Sequence, residues 1–331
     1  MGVCSRNGLA CLVTKYLARR LLYAIPTALL ATVIVFLVMR VLPGDAALLI
    51  AAGDPEERGN LKYYEELKAR MGLDQPIYIQ FGEWVWGFVR HGDLGTSFYT
   101  HRPVLEEIAR RLPITIELSL GAMVIGALLA IPLGVLAATN QDRLGDYVPR
   151  IVSVLLLSTP NFWVATLLVL LPALWFNYLP SFTYKSFWDD PSHHLQVFMF
   201  PWLAVGTRLV GTTLRMTRST MLEVLRQDYI RTANAKGLAQ RIVVYRHALK
   251  NALIPVVTVI GGQAAGLLEG SVLVETVFNL EGLGYLTVQA IFQRDYPQVQ
   301  ACILVMALIV LLVNLITDLF YAWLDPRIRY A

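Results

Sequence analysis

The run ITIELSLGAMVIGALLAIPLGVLAA, Ile114–Ala138, decides the fold of this chain, and Glu117 is its single ionisable side chain. About 20 apolar residues in a helix are enough to cross the roughly 30 Å of hydrocarbon in a bilayer. Water does not reach a backbone at that depth, so the N–H and C=O groups must bond to one another, as they do in a helix. A membrane barrel would need short alternating strands, and this run is continuously apolar. Five further runs of the same kind lie on either side: Leu21–Met39, Ile151–Phe176, Val197–Leu214, Ala252–Phe278 and Ala301–Leu324. Apolar residues make up 56% of the chain and charged residues 16%, a balance that belongs to membrane proteins. The expected fold is therefore all-α and polytopic, with six transmembrane helices.

The first run is longer than the apolar core of a cleaved leader. Val41-Leu42-Pro43-Gly44-Asp45 follows it in place of a small-residue cleavage site, so it is expected to be retained. Cys4, Cys11 and Cys302 have neither metal-ligand nor redox spacing.

Lysine and arginine set the orientation. Arg6, Lys15, Arg19 and Arg20 precede the first run, Arg143 and Arg150 lie between the second and third, and Arg327 and Arg329 follow the last. The connection between the fourth and fifth runs holds Arg215, Arg218, Arg226, Arg231, Lys236, Arg241, Arg246 and Lys250. The opposite short connections hold just Lys185 and Arg294. Both termini and the basic connection are thus expected on the cytoplasmic side. The division that follows is a tail 1–20, a first helix 21–39, an external loop 40–113, a five-helix core 114–324 with its basic loop 215–251, and a tail 325–331. The external loop has a possible helix over Pro55–Met71 and a Trp84/Trp86 pair suited to the headgroup level.

The basic loop reads RMTRSTMLEVLRQDYIRTANAKGLAQRIVVYRHALKN, Arg215–Asn251. Attraction to anionic lipid accounts for its charge but not for its pattern. Asp228 is placed to cap a helix over Tyr229–Lys236, with Ile230, Ala233 and Gly237 on one face and Gly237 ending it. Ile242, Tyr245, Leu249 and Leu253 make a second stripe, and Pro255 falls in the first turn of the next span. Two short helices joined at a glycine make a rigid projection. Its small residues, Thr232, Ala233, Ala235 and Gly237, let a partner backbone come close.

This loop resembles the Glu-Ala-Ala loop of ABC importer permeases, most closely the dipeptide/oligopeptide branch. Asp228-Tyr229-Ile230-Arg231-Thr232-Ala233-Asn234-Ala235-Lys236-Gly237-Leu238 and His247–Pro255 carry the resemblance. Leu17–Arg20, Leu42–Asp45, Gly92–Ser97, Met216–Glu223, Val274–Phe278, Gly282–Gly284, Asp295–Pro297 and Asp325–Arg327 extend it over nearly the whole chain. The general motif begins Glu-Ala-Ala. Arg231, Thr232 and Ala233 stand there instead, as is usual for the peptide branch, while Glu269 and Glu281 depart from the expected Gly and Pro.

The resemblance implies a type I ABC importer permease, the first of two such subunits, in a prokaryotic inner membrane. Its implied partners are a second homologous permease, one or two cytoplasmic ABC ATPase subunits, an extracytoplasmic solute-binding protein and the bilayer, with no nucleic acid. Asp228, Tyr229, Arg231, Thr232, Ala233, Ala235, Lys236, Gly237, Leu238 and His247 would form the ATPase-coupling loop. The solute would be a di- or oligopeptide, with nickel complexes or sugars as the alternative.

The chain holds no Gly-x-x-x-x-Gly-Lys-[Ser/Thr] loop. No cofactor or catalytic residue is expected in it, so ATP and magnesium would belong to the ATPase subunits. His193 and His194 are adjacent, a poor arrangement for holding one metal ion.

A polar group inside a span costs roughly 2.5–3.5 kcal/mol on insertion scales if charged, and should face the bundle interior. Asn161, Arg208, Gln263, Glu269 and Glu275 are the candidate substrate path, with Glu117 and Asn314 also inside spans. Carboxylates there suit a substrate amine and Arg208 a substrate carboxylate; helix-to-helix hydrogen bonding is the plainer alternative. Gly261, Gly262, Ala264, Ala265, Gly266 and Gly270 suit close helix packing within the subunit or against a second permease. A secondary transporter predicts internal repeats with broken helices, and a membrane enzyme predicts catalytic residues clustered at a span end. Neither pattern stands out in the sequence.

Overall fold

The computed structural model describes residues 22, 25–40, 47, 48, 51, 59–181 and 183–324, with 70 and 320–324 described for their backbone alone. Both tails lie outside the described residues, as do Leu17–Arg20, Leu42–Asp45, Asp325–Arg327 and the start of the expected helix at Pro55. The regular elements among the described residues are helices, and Thr96 and Pro103 form an isolated bridge. In chain order they are α1 (Ile25–Arg40), α2 (Leu61–Arg70), α3 (Ile77–His91), α4 (Val104–Thr139), α5 (Leu144–Ser158), α6 (Asn161–Phe176), α7 (Pro191–Leu225), α8 (Asp228–Ala235), α9 (Gln240–Val277), α10 (Leu283–Gln293) and α11 (Tyr296–Leu324). Within α9, Val243–Ala248 forms a π-helical turn.

α4, α7, α9 and α11 are long and apolar enough to cross a membrane. α5 and α6 meet that description as a pair but are bent by 108°, and α1 is a shorter apolar helix. The expected straight span Ile151–Phe176 is therefore broken. Thr159 precedes Pro160, whose ring disfavours helical geometry for its neighbour and whose nitrogen has no proton to donate. Thr159 accordingly lies at φ −94°, ψ 129°, and its amide and hydroxyl both bond to the Leu155 carbonyl, at 3.1 and 2.7 Å. Several helices outrun their apolar runs: α7 begins at Pro191, capped by the Asp190 carboxylate on the His193 N–H at 3.1 Å. Backbone hydrogen bonding continues past the hydrocarbon, where hydropathy no longer marks it. The short connection after the fifth run contains α10.

The chain divides into two compact units. Of the described residues, one comprises those up to 114 with 281–312, and the other those of 115–280 with 313–324. This cuts across the expected division at 113/114, because residues 281–312 fold with the N-terminal segment. Leu94, Val104, Ile108, Leu283, Leu286 and Cys302 form a shared core there. Asp295 accepts hydrogen bonds from the Ser97 hydroxyl and from the Phe98 N–H at 3.1 Å. Gly95, at φ +91°, lies against Pro297. Two motifs far apart in sequence, Gly92–Ser97 and Asp295–Pro297, thus complete one another.

In the second unit α7 is the central helix, flanked by α5, α6 and α9 and largely buried. A Cβ on Gly134 would sit 2.6 Å from Thr217 Cβ and 2.9 Å from the Leu214 carbonyl oxygen, and one on Gly211 2.9 Å from the Ser153 carbonyl oxygen. Backbone contact this close requires glycine. Of the α9 glycines singled out in the sequence, Gly266 behaves differently, since a Cβ there would meet nothing within 4 Å. One ion pair fixes α5 to α7. Asp146 is fully buried, and Arg218 clasps it from both sides, Nε to Oδ1 at 2.5 Å and Nη2 to Oδ2 at 2.7 Å.

Candidate functional site

Two features of the second unit collect the residues that the sequence singled out. The first is the elbow formed by α8 and the start of α9. Gln227, not Asp228, is the N-cap residue of α8, and no side chain caps it; Asp228 is the first helical residue, where its charge suits the helix N-terminus. The sequence thus misplaced the cap by one residue. Ile230 and Ala233 are the buried residues of α8, seated on Val135, Ala138, Met221, Val243, Ala248 and Ala252. Ala233 therefore faces its own chain and is not free for a partner's backbone. Thr232, Ala235, Lys236, Gly237 and Leu238 are exposed, as are Tyr229 and Arg231.

The helix stops as glycine requires. Gly237 has φ +73°, its amide bonds to the Asn234 carbonyl at 3.0 Å, and the Leu238 amide reaches the Ala233 carbonyl at 3.4 Å. This pair of bonds satisfies the last carbonyls of α8 and reverses the chain. The Asn251 side-chain amide donates to the Tyr229 hydroxyl at 2.8 Å, tying α8 to α9. His247 is half-buried in the π-helical turn. Pro255 lies inside α9 rather than in its first turn, because that helix begins at Gln240. The result is a short, exposed, cationic ledge on a rigid seat.

The second feature is a cavity of about 900 Å³. Its wall includes Asn161, Arg208, Gln263 and Glu269, four of the five path candidates, together with Thr159, Pro160, Gly262, Gly266 and Gly270. The break between α5 and α6 opens onto it, and the α9 glycines line it, which is why a Cβ on Gly266 meets open space. On Gly270 a Cβ would sit 2.8 Å from Asn161 Nδ2. Asn161 Oδ1 lies 3.1 Å from the Thr207 hydroxyl, which also reaches the Ala204 carbonyl at 2.9 Å, and the Asn161 NH2 group lies toward Gly270 of α9. Gln263 Nε2 is buried with no hydrogen-bond partner among the described residues. Arg208 and Glu269 are both exposed and make no ion pair among the described residues, with one another or with any other group.

The fifth candidate, Glu275, lies elsewhere. It is fully buried, and its Oε1 accepts from the Thr115 hydroxyl at 2.8 Å and the Ser271 hydroxyl at 3.2 Å. That is the helix-to-helix role, not a cavity position. Asn314 is exposed on α11. Glu117 meets His194 Nε2 at 2.8 Å, while His194 Nδ1 faces the Lys185 carbonyl at 2.8 Å and His193 Nε2 faces the Thr183 carbonyl at 2.9 Å. The two histidines thus hold down different points of the one loop between α6 and α7. Burial, with Glu117 beside it, pushes the Tyr184 phenol of that loop above its ordinary value.

Fold and site together define a multi-pass helical membrane protein with a polar-walled cavity and a seated basic elbow. A model of the family described as binding-protein-dependent transport system inner membrane component matches residues 130–330, and the model of the corresponding N-terminal region matches residues 13–119. The chain belongs to this family, and it is the membrane permease component of such a transport system. Similar proteins include the dipeptide transport system permease protein DppB of Escherichia coli K12, 39% identical over 96% of this chain and 99% of that one. The protein of that name from Alkalihalophilus pseudofirmus is 38% identical over 95% and 99%. A crystal structure of an amino acid ABC transporter with histidines shares the fold, with a TM-score of 0.52 and 14% identity over 66% of this chain and 94% of that one.

Proposed function

We propose that this chain is the first permease subunit of an ATP-driven, binding-protein-dependent importer of di- and oligopeptides. Near-full-length similarity to dipeptide permeases carries the substrate class. The chain works with a second permease, cytoplasmic ABC ATPase subunits that hold ATP and magnesium, and an external solute-binding protein. It contributes no catalytic residue of its own. Both termini and the elbow face the cytoplasm, following the bias of lysine and arginine.

The elbow receives the motion of the ATPase. A ledge transmits force only if it cannot yield, and α8 is held by Ile230 and Ala233 beneath it, by the glycine turn at Gly237 and by the Tyr229–Asn251 bond. The exposed side chains of Arg231, Thr232, Ala235, Lys236 and Leu238 meet the ATPase, and Ala233 supports them from the buried side. The cavity is the compartment through which solute passes as the spans alternate between outward and inward access. Uptake of labelled di- and oligopeptides by the complex, purified through a tag on this chain and placed in vesicles, tests the reading. ATP-dependent accumulation of peptide is expected; accumulation of nickel complexes or sugars in place of peptide would replace the substrate class.

A further inference from the structure

We infer that the cavity binds its passenger as an extended zwitterion and reads both ends of it, with Arg208 holding the free α-carboxylate and Glu269 the α-ammonium. This rests on the importer reading above and names what the permease itself selects.

The wall is asymmetric in its chemistry. Arg208 offers a guanidinium fork, which matches a carboxylate with two parallel hydrogen bonds. Asn161 lies with Oδ1 at the Thr207 hydroxyl and its NH2 group toward Gly270, so that the NH2 group remains to donate. Gln263 Nε2 is a buried donor with no partner among the described residues. The wall also contains the first turn of α6, whose leading amides at Asn161 and Phe162 come before the Pro160 carbonyl accepts its first bonds, from Trp163 and Val164. A half-helix that begins inside the membrane turns its positive end toward anionic groups. Against these donors the wall sets one carboxylate, Glu269.

A short peptide has the complementary inventory: acceptors along its carbonyls, a carboxylate at one end and a single cation at the other. Opposite charges on the wall of one cavity would ordinarily pair with each other, yet Arg208 and Glu269 both line it and make no ion pair among the described residues. A zwitterion spanning them satisfies both. Gly270 lets the Asn161 NH2 group lie against α9, where a Cβ would sit 2.8 Å from Nδ2, and Gly266 leaves open space beside it.

The test compares each variant's ratio between substrates with the wild-type ratio, so that discrimination by the binding protein cancels. The purified complex in vesicles is given the dipeptide Ala-Phe, its C-terminal amide and its N-acetyl form. Arg208→Gln is expected to shrink the preference for the free acid over the amide by about tenfold or more, the worth of a hydrogen bond to a charged group. Arg208→Lys is expected to keep part of that preference, and Glu269→Gln to shrink only the preference over the N-acetyl form. Co-purification of the ATPase confirms that each variant assembles. Equal losses for all three substrates, or unchanged ratios, would overturn the inference while leaving the importer reading intact. Wild-type complex that imports no peptide at all would instead overturn the importer reading.

Discussion

Replacing Ile230 by Ala should unseat the elbow. α8 has 8 residues, too few to persist alone, since isolated helices shorter than about 12–15 residues are marginal in water. Its order therefore comes from its seat, where Ile230 is 1% and Ala233 7% exposed. Removing the outer carbons of a buried isoleucine costs about 2–5 kcal/mol, and the low end applies where the site can collapse. About 2 kcal/mol shifts the balance between docked and undocked elbow by roughly 30-fold. Hydrogen exchange on the assembled complex reads this directly. Amides 231–238 should lose protection by about that factor, while those in the middle of α7 keep theirs. Peptide uptake should fall although the ATPase subunits still hydrolyse ATP. If exchange in 231–238 is unchanged, or if α7 loosens equally, the elbow is not a separately seated lever and the reasoning fails.

Gly237→Ala should cost about 1–2 kcal/mol through left-handed backbone strain alone, because a Cβ there meets nothing within 4 Å. Gly237→Asn should cost less, since asparagine tolerates that conformation, and uptake rates of the two variants would show the order. Removing either partner of the buried Asp146–Arg218 pair should destabilise the complex by about 3–5 kcal/mol, seen as a lower thermal unfolding midpoint, with the double variant Asp146→Asn/Arg218→Met recovering part of the loss. Pro160→Ala should let Thr159 return toward helical geometry and open the 108° bend, which spin labels at positions 151 and 174 would report as a longer distance. An unchanged distance would assign the bend to packing rather than to proline.

The apolar runs made the long helices legible, because hydrocarbon imposes one solution on a backbone that cannot reach water. What escaped was set by local backbone chemistry or by distant contacts. The sequence holds Thr159-Pro160 in plain view, but continuous hydropathy across it read as one span. α10 escaped for the opposite reason: Leu283, Leu286 and Ala290 make a helical stripe too short to stand out from a connection. At the elbow the periodicity of Ile230 and Ala233 located the buried face and Gly237 located the stop. The same pattern did not say that Ala233 points inward, since small residues suit either a partner or a core. Four of five path candidates, two charged side chains and two amides, line one cavity because polar groups in apolar helices gather where the surroundings are polar. Glu275 met that requirement differently, through Thr115 and Ser271.

The central proposal is that an outside motor drives the conduit. The decisive measurement is peptide accumulation against a gradient in vesicles that contain either this chain alone or the complete complex, each with and without ATP. Accumulation confined to the complete complex with ATP is the predicted result; uphill accumulation by this chain alone would contradict it.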